Sequence, residues 1–233
     1  MEYFPFAPLV YIYNATIAFI FAMRSFHTYR ARQNALSWFF IWVGLGVAGT
    51  FYLYGIPTLL WPERAELHGF LFLLSYFPLF LGTNFALLFV LRAKEMHGLR
   101  RVATFGIPLL AVILFFANLI AIPETRITSD GLIHWGTAFP YDILLAVLLF
   151  FTTILPGILL LFLPARSFQA SLKKVLLAGA LIGGGFAGSA IAIFDEYTLV
   201  LRALFLAQFV AFSFLGSMVF IDIFVKEKEE SKQ

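Results

Sequence analysis

Seven uninterrupted apolar stretches divide the chain, each bounded by charges, prolines or polar turns. They run over about residues 6–23, 37–60, 69–91, 102–122, 141–163, 175–194 and 203–224. None alternates apolar with polar positions as a half-buried strand does, and each far exceeds the ~10 residues of a barrel strand. A helix needs ~20 mostly apolar residues to cross ~30 Å of hydrocarbon. The pattern therefore predicts an all-α membrane protein, a seven-transmembrane-helix bundle. It forms a single transmembrane domain over residues 1–233, with a short tail at 225–233.

Lys and Arg set the orientation of such a bundle, because basic loops stay on the cytoplasmic side. Thirteen of the sixteen basic residues fall on one side when the seven spans alternate, among them Arg24, Arg30, Arg92, Arg100, Lys173 and Lys226. Only Arg64, Arg126 and Arg202 fall on the other. With the acids counted, the basic side carries +8 and the opposite side −5. The expected topology has the N-terminus outside and the C-terminus cytoplasmic, in a multi-pass protein of the cell membrane. No basic residue precedes the first span, so it reads as a retained helix rather than a cleavable signal.

Composition agrees with this and excludes other classes. Of 233 residues, 61% are hydrophobic and 12% charged, with 30 Phe and a mean hydropathy of +0.92. A soluble fold of this length lacks the polar surface to cover that much apolar material. There is no cysteine, which removes disulfides, thiolate metal sites and a thiol nucleophile. The net charge of +3 reflects topology and attraction to anionic lipid, not nucleic acid.

Small residues let helices approach closely in lipid. The sixth span carries Gly179, Gly183, Gly184 and Gly188 at small-xxx-small spacing, which predicts close packing inside the bundle or across a dimer. Gly44, Gly46 and Gly49 form a literal G-x-G-x-x-G. Without a preceding strand this is a packing surface rather than a nucleotide loop. Pro78 lies near the middle of the third span, followed by Gly82, Thr83 and Asn84. Proline removes a backbone hydrogen bond and clashes with the preceding turn, so this group reads as a kink that shapes the bundle or as a hinge beside a cavity.

Polar side chains inside a span are costly unless partnered, and so mark functional positions. Asn14, Asn118, Ser189 and Gln208 share a depth band with Thr50, Tyr52 and Tyr54. Asn14, Asn118, Ser189, Gln208 and Tyr54 are the candidate ligand-binding residues of an outward pocket. The alternative is that they are interhelical hydrogen-bonding glue. No Asp, Glu, Lys, Arg or His lies deep in a span, which argues against proton-coupled transport, intramembrane hydrolysis and a retinal Schiff base. His68 and His134, with Glu63, Glu66, Asp195 and Glu196, read as a solvated acidic rim on the outer side. The expectation is a non-enzymatic chain with no catalytic residues, no cofactor and no metal.

Two segments carry a family resemblance. Arg30 to Phe40 (RARQNALSWFF), entering the second span, and Lys173 to Gly179 (KKVLLAG), opening the sixth, are similar to the corresponding entries in the N-terminal seven-helix sensor regions of membrane histidine kinases. The chain resembles those regions over residues 8–224, but ends without a kinase. The resemblance implies a receptor-like sensor module that passes its signal to a separate protein partner, in the membrane or at its cytoplasmic face. An accessory or scaffolding subunit of a larger membrane complex, and a small-solute transporter or channel, stand beside it.

Overall fold

The computed structural model describes residues 5–33, 35–120, 122–129, 131–136, 139–165, 168–194 and 196–230, with the backbone alone for residues 32, 35, 169, 170 and 219–230. It contains seven helices long and apolar enough to cross a membrane. The first is Phe6–Arg32 and the second Ala35–Leu60. The third is built from Ala65–Leu74 and Tyr76–Ala93, and the fourth is His97–Leu119. The fifth joins Tyr141–Leu149, a π-turn at Phe150–Ile154, and Leu155–Leu161. The sixth is Phe168–Ile193 and the seventh Thr198–Glu230.

Some helices outlast their apolar stretches. The first continues past Met23 to Arg32, where Gln33 turns left-handed (φ 45°) and its N–H closes onto the Tyr29 carbonyl. The seventh continues past residue 224 to Glu230. Hydrocarbon thickness limits the apolar run, whereas capping and backbone breakers limit the helix. The polar extensions keep their backbone hydrogen bonds and lose only lipid contact. Residues 231–233 of the predicted tail lie outside the described residues.

The spans close into a ring in which each packs on its chain neighbours and the seventh returns to the first. The third also reaches the fifth, which leaves the fourth packed mainly on the outside of the third. That span shows its position in its exposed residues, with Val102, Phe105 and Phe116 all more than half exposed. The G-x-G-x-x-G of the second span packs in two directions. A Cβ on Gly44 would fall 2.8 Å from Ala22 Cβ of the first span, whereas Gly46 meets Pro78 and Gly82 of the third. In the sixth span Gly179 and Gly183 face Phe214 and Ala211 of the seventh, Gly184 faces Phe212, and Gly188 faces Leu149 of the fifth. All four thus pack within the chain.

The third span breaks at Ser75, one turn before Pro78. Pro78 has no N–H for the Leu74 carbonyl and its ring crowds that turn, so the regular bonding is interrupted there before the helix resumes at Tyr76, although Ser75 stays right-handed and its N–H still reaches the Leu71 carbonyl. Gly82 and Thr83 lie in the restarted helix: Gly82 packs on Gly46, and Thr83 Oγ1 donates to the Leu79 carbonyl at 2.7 Å. Asn84 Nδ2 donates to the Ala103 carbonyl at 3.0 Å and ties the third span to the fourth. The fifth span has a comparable defect. Pro156 leaves the Thr152 carbonyl without its helical donor, and the preceding turn widens into the π-turn, where Leu155 N–H reaches back to Phe150.

The connection between the fourth and fifth spans folds into a hairpin. Strand β1 (Arg126–Ile127) pairs antiparallel with β2 (Ile133–His134), Arg126 opposite His134. Leu132 and Ile133 are fully buried and Trp135 is 3% exposed. Ala7 N–H donates to the Gly131 carbonyl at 3.0 Å, which fastens the hairpin to the start of the first helix. Gly136 sits at φ +65°, and a Cβ there would lie 2.6 Å from the Glu124 carbonyl oxygen. Only glycine fits that position. The connection is therefore a cap driven into the end of the bundle.

Candidate functional site

Beneath the hairpin lies a cavity of about 100 Å³, bordered by the first, second, third, fifth, sixth and seventh spans and by Trp135. Among the described residues, none of the fourth span borders it. Aromatic rings form much of the wall. Trp135 stacks on Phe72 with ring centroids 4.6 Å apart and lies 4.7 Å from Tyr54. Tyr11 stacks on Phe51 at 5.5 Å, and Trp135 Nε1 donates to the Tyr11 hydroxyl at 3.0 Å. The sixth span also borders the cavity, with Gly184, Gly185 and Gly188 beside Leu181 and Ile191. The π-turn brings Thr153 to this border, where it is packed directly against Gly185.

The threonine hydroxyls at the cavity donate their single protons to carbonyls of their own helices. Thr50 Oγ1 donates to the Gly46 carbonyl at 2.8 Å and Thr153 Oγ1 to the Leu149 carbonyl at 2.5 Å. Ser75 Oγ lies 2.5 Å from the Phe72 carbonyl oxygen and 2.8 Å from the Tyr54 hydroxyl. A hydroxyl has one proton, so when Ser75 donates to the carbonyl Tyr54 becomes the donor of the second bond. Gln208 differs. It borders the cavity, is 4% exposed, and its Oε1 has no partner among the described residues.

The predicted pocket residues are thus only partly together. Tyr54, Thr50 and Gln208 border the cavity. Asn14 is fully buried one helical turn from Tyr11, and neither of its amide atoms has a partner among the described residues. Ser189 Oγ donates across to the Ala146 carbonyl of the fifth span at 3.4 Å. Asn118 does not join the pocket. Its Nδ2 donates to the Leu114 carbonyl of its own helix at 2.8 Å, and it borders a separate open cleft at the rim with Glu124, Arg126, His134, Tyr141 and Glu196. Equal depth does not ensure a shared cavity when the ring sets one helix aside.

Of the expected hinge residues, Thr83 borders the cavity, while Asn84 turns to the fourth span and the break itself falls at Ser75. On the rim, His68 is buried with Nε2 2.8 Å from the Trp61 carbonyl oxygen, so it closes the second span's end. Asp195 lies outside the described residues. Among the described residues no three His, Asp or Glu side chains converge as a metal ion would require.

Tyr11, Phe72 and Trp135 were not legible as site residues in the sequence. An aromatic residue in an apolar span carries no signal of its own. The run Leu132-Ile133-His134-Trp135 does carry one, because two aliphatic residues and a tryptophan inside a loop need something to pack against. Compared with known proteins, the chain matches no family model, no curated protein and no solved structure.

Proposed function

We propose that the chain is a non-enzymatic receptor-like sensor that binds a small molecule in the central cavity and signals to a separate protein partner. One observation supports this reading above the others: a capped, mostly apolar cavity is bordered by a buried amide whose carbonyl oxygen has no partner among the described residues. An interior that served packing alone would fill this space and pair that group. The orientation that goes with it has the hairpin facing outside and the basic loops in the cytoplasm, where anionic lipid and the partner would meet them. The third and fifth spans, each with a backbone defect at the cavity, are the elements suited to carry a change from the cavity toward the basic loops.

The absence of cysteine makes a single reporter clean. Lys94 is exposed in the turn after the third span. Lys94→Cys, labelled with a solvatochromic dye in proteoliposomes, should shift its emission saturably when single-ring aromatic compounds such as phenol or indole fill the cavity. Occupancy followed separately by Trp135 quenching, with no dye response at saturation, would reject signalling. Native purification in mild detergent should bring down a stoichiometric partner.

A further inference from the structure

We propose that the cavity selects a neutral, single-ring molecule bearing a hydroxyl group, a phenol or an aromatic alcohol, held by the Gln208 amide. This names the ligand class of the cavity described above and rests on that reading of it.

The walls decide the charge first. Among the described residues no Asp, Glu, Lys, Arg or His borders the cavity, and a full charge moved there from water would be uncompensated. An aromatic cage can hold a cation by its ring faces, but here Phe72, Trp135, Tyr54, Tyr11 and Phe51 each give a face to another ring, so no open cage surrounds the space. Phe72 and Trp135 stack on each other, Tyr11 stacks on Phe51, and Phe72 also stacks on Tyr54 at 5.6 Å. A neutral ligand is what remains.

Size comes next. A dry apolar cavity of about 150 Å³ accepts benzene, and this one holds about 100 Å³. One ring is therefore the upper limit of what fits.

The polar group then sets the head. Thr50, Thr83 and Thr153 donate to carbonyls of their own helices, and the Tyr11 hydroxyl accepts from Trp135. Gln208 is left with an unpartnered Oε1 in a side chain 4% exposed. A ligand hydroxyl donates to that oxygen, and it can also accept from the amide nitrogen. A ligand without a polar head would leave the amide unpaired, and discrimination against such analogues is large when a buried polar group loses its partner.

Brominated probes report position as well as affinity, because bromine quenches a nearby indole. The full chain with Trp38, Trp42 and Trp61 each changed to Phe, all exposed positions, keeps Trp135 as its one tryptophan. In detergent micelles, 4-bromophenol should quench Trp135 saturably at about a tenfold lower concentration than bromobenzene. Gln208→Leu should bring the two probes within about twofold while leaving bromobenzene quenching in place, which shows that the variant is folded. Equal, saturable quenching by both probes in the unmodified site would overturn the hydroxyl selectivity and leave a ligand cavity standing. Displacement of 4-bromophenol by tetramethylammonium but not by phenol would show a cation cage instead. Quenching by neither probe, or quenching that rises linearly as micelle partitioning does, would remove the cavity and the receptor reading together.

Discussion

Asn14 is the side chain least well served by its surroundings. It is fully buried, and neither its oxygen nor its nitrogen has a partner among the described residues. A buried polar group left unmade costs about 1–3 kcal/mol, so the position is retained at the expense of stability. Leucine has the same branched outline without the polar atoms. Asn14→Leu is therefore expected to raise stability by about 1–2 kcal/mol, seen as a higher unfolding midpoint in detergent. A lower midpoint would show that the amide has a partner the packing needs. At this scale the sequence was informative about polarity and silent about direction. Asn14, Asn118, Ser189 and Gln208 stood out because they are polar in apolar spans. Their bonds depend on which way each helix faces, and that is settled by contacts between residues far apart in the chain. Ser189 and Asn118 prove to be bonded to carbonyls, whereas Asn14 and Gln208 retain unpartnered atoms.

The helices were the most readable level, since hydropathy alone sets each one's existence and approximate place. Their irregularities were harder. Pro78 and Pro156 pointed to disturbed helices, but proline acts on the turn before it, so the break appears at Ser75 and the widened turn at Phe150–Ile154. The Ser75 break is stitched to the second span. Besides the bond between the Ser75 and Tyr54 hydroxyls, the Ser75 carbonyl oxygen lies 3.5 Å from Thr50 Oγ1 and shares the proton that Thr50 donates mainly to the Gly46 carbonyl. A shared bond has a thermodynamic signature, because two substitutions that remove the same bond cannot both lose it. Ser75→Ala and Tyr54→Phe are each expected to cost about 1 kcal/mol, with the double variant falling short of the sum by about 0.5–1 kcal/mol. Strict additivity in a double-mutant cycle, followed by unfolding in mixed micelles, would break the proposed link between the third span and the cavity wall.

For the molecule as a whole, the ring order could not be read from the pattern, because hydropathy counts helices without arranging them. The consequence was the misplaced Asn118, on a span that the ring sets outside the cavity. The hairpin was the larger omission: its burial comes from partners on the first, second and third spans, Tyr11, Tyr54 and Phe72. Charge asymmetry was legible, and it leads to the expected placement in the membrane. Single cysteines at Thr128 in the hairpin and at Lys94 should react from opposite sides of intact cells, Thr128 with an impermeant maleimide added outside and Lys94 only after permeabilisation. Reaction of both from the same side would refute the alternating topology, and with it the direction assigned to the signal.

The bond between Ala7 and Gly131 also bears on how the chain is made. Trp135 and Tyr11, joined a few ångströms away, stand 124 positions apart. The first helix is made well before its partner, and its opening turn stays unsealed until three further helical passes and the hairpin that follows them have been synthesised. Domains form as units during synthesis, and contacts between distant positions come late. The chamber under the hairpin is thus among the last features to take shape, and its completion marks the point at which the earliest and the middle parts of the nascent chain have found each other.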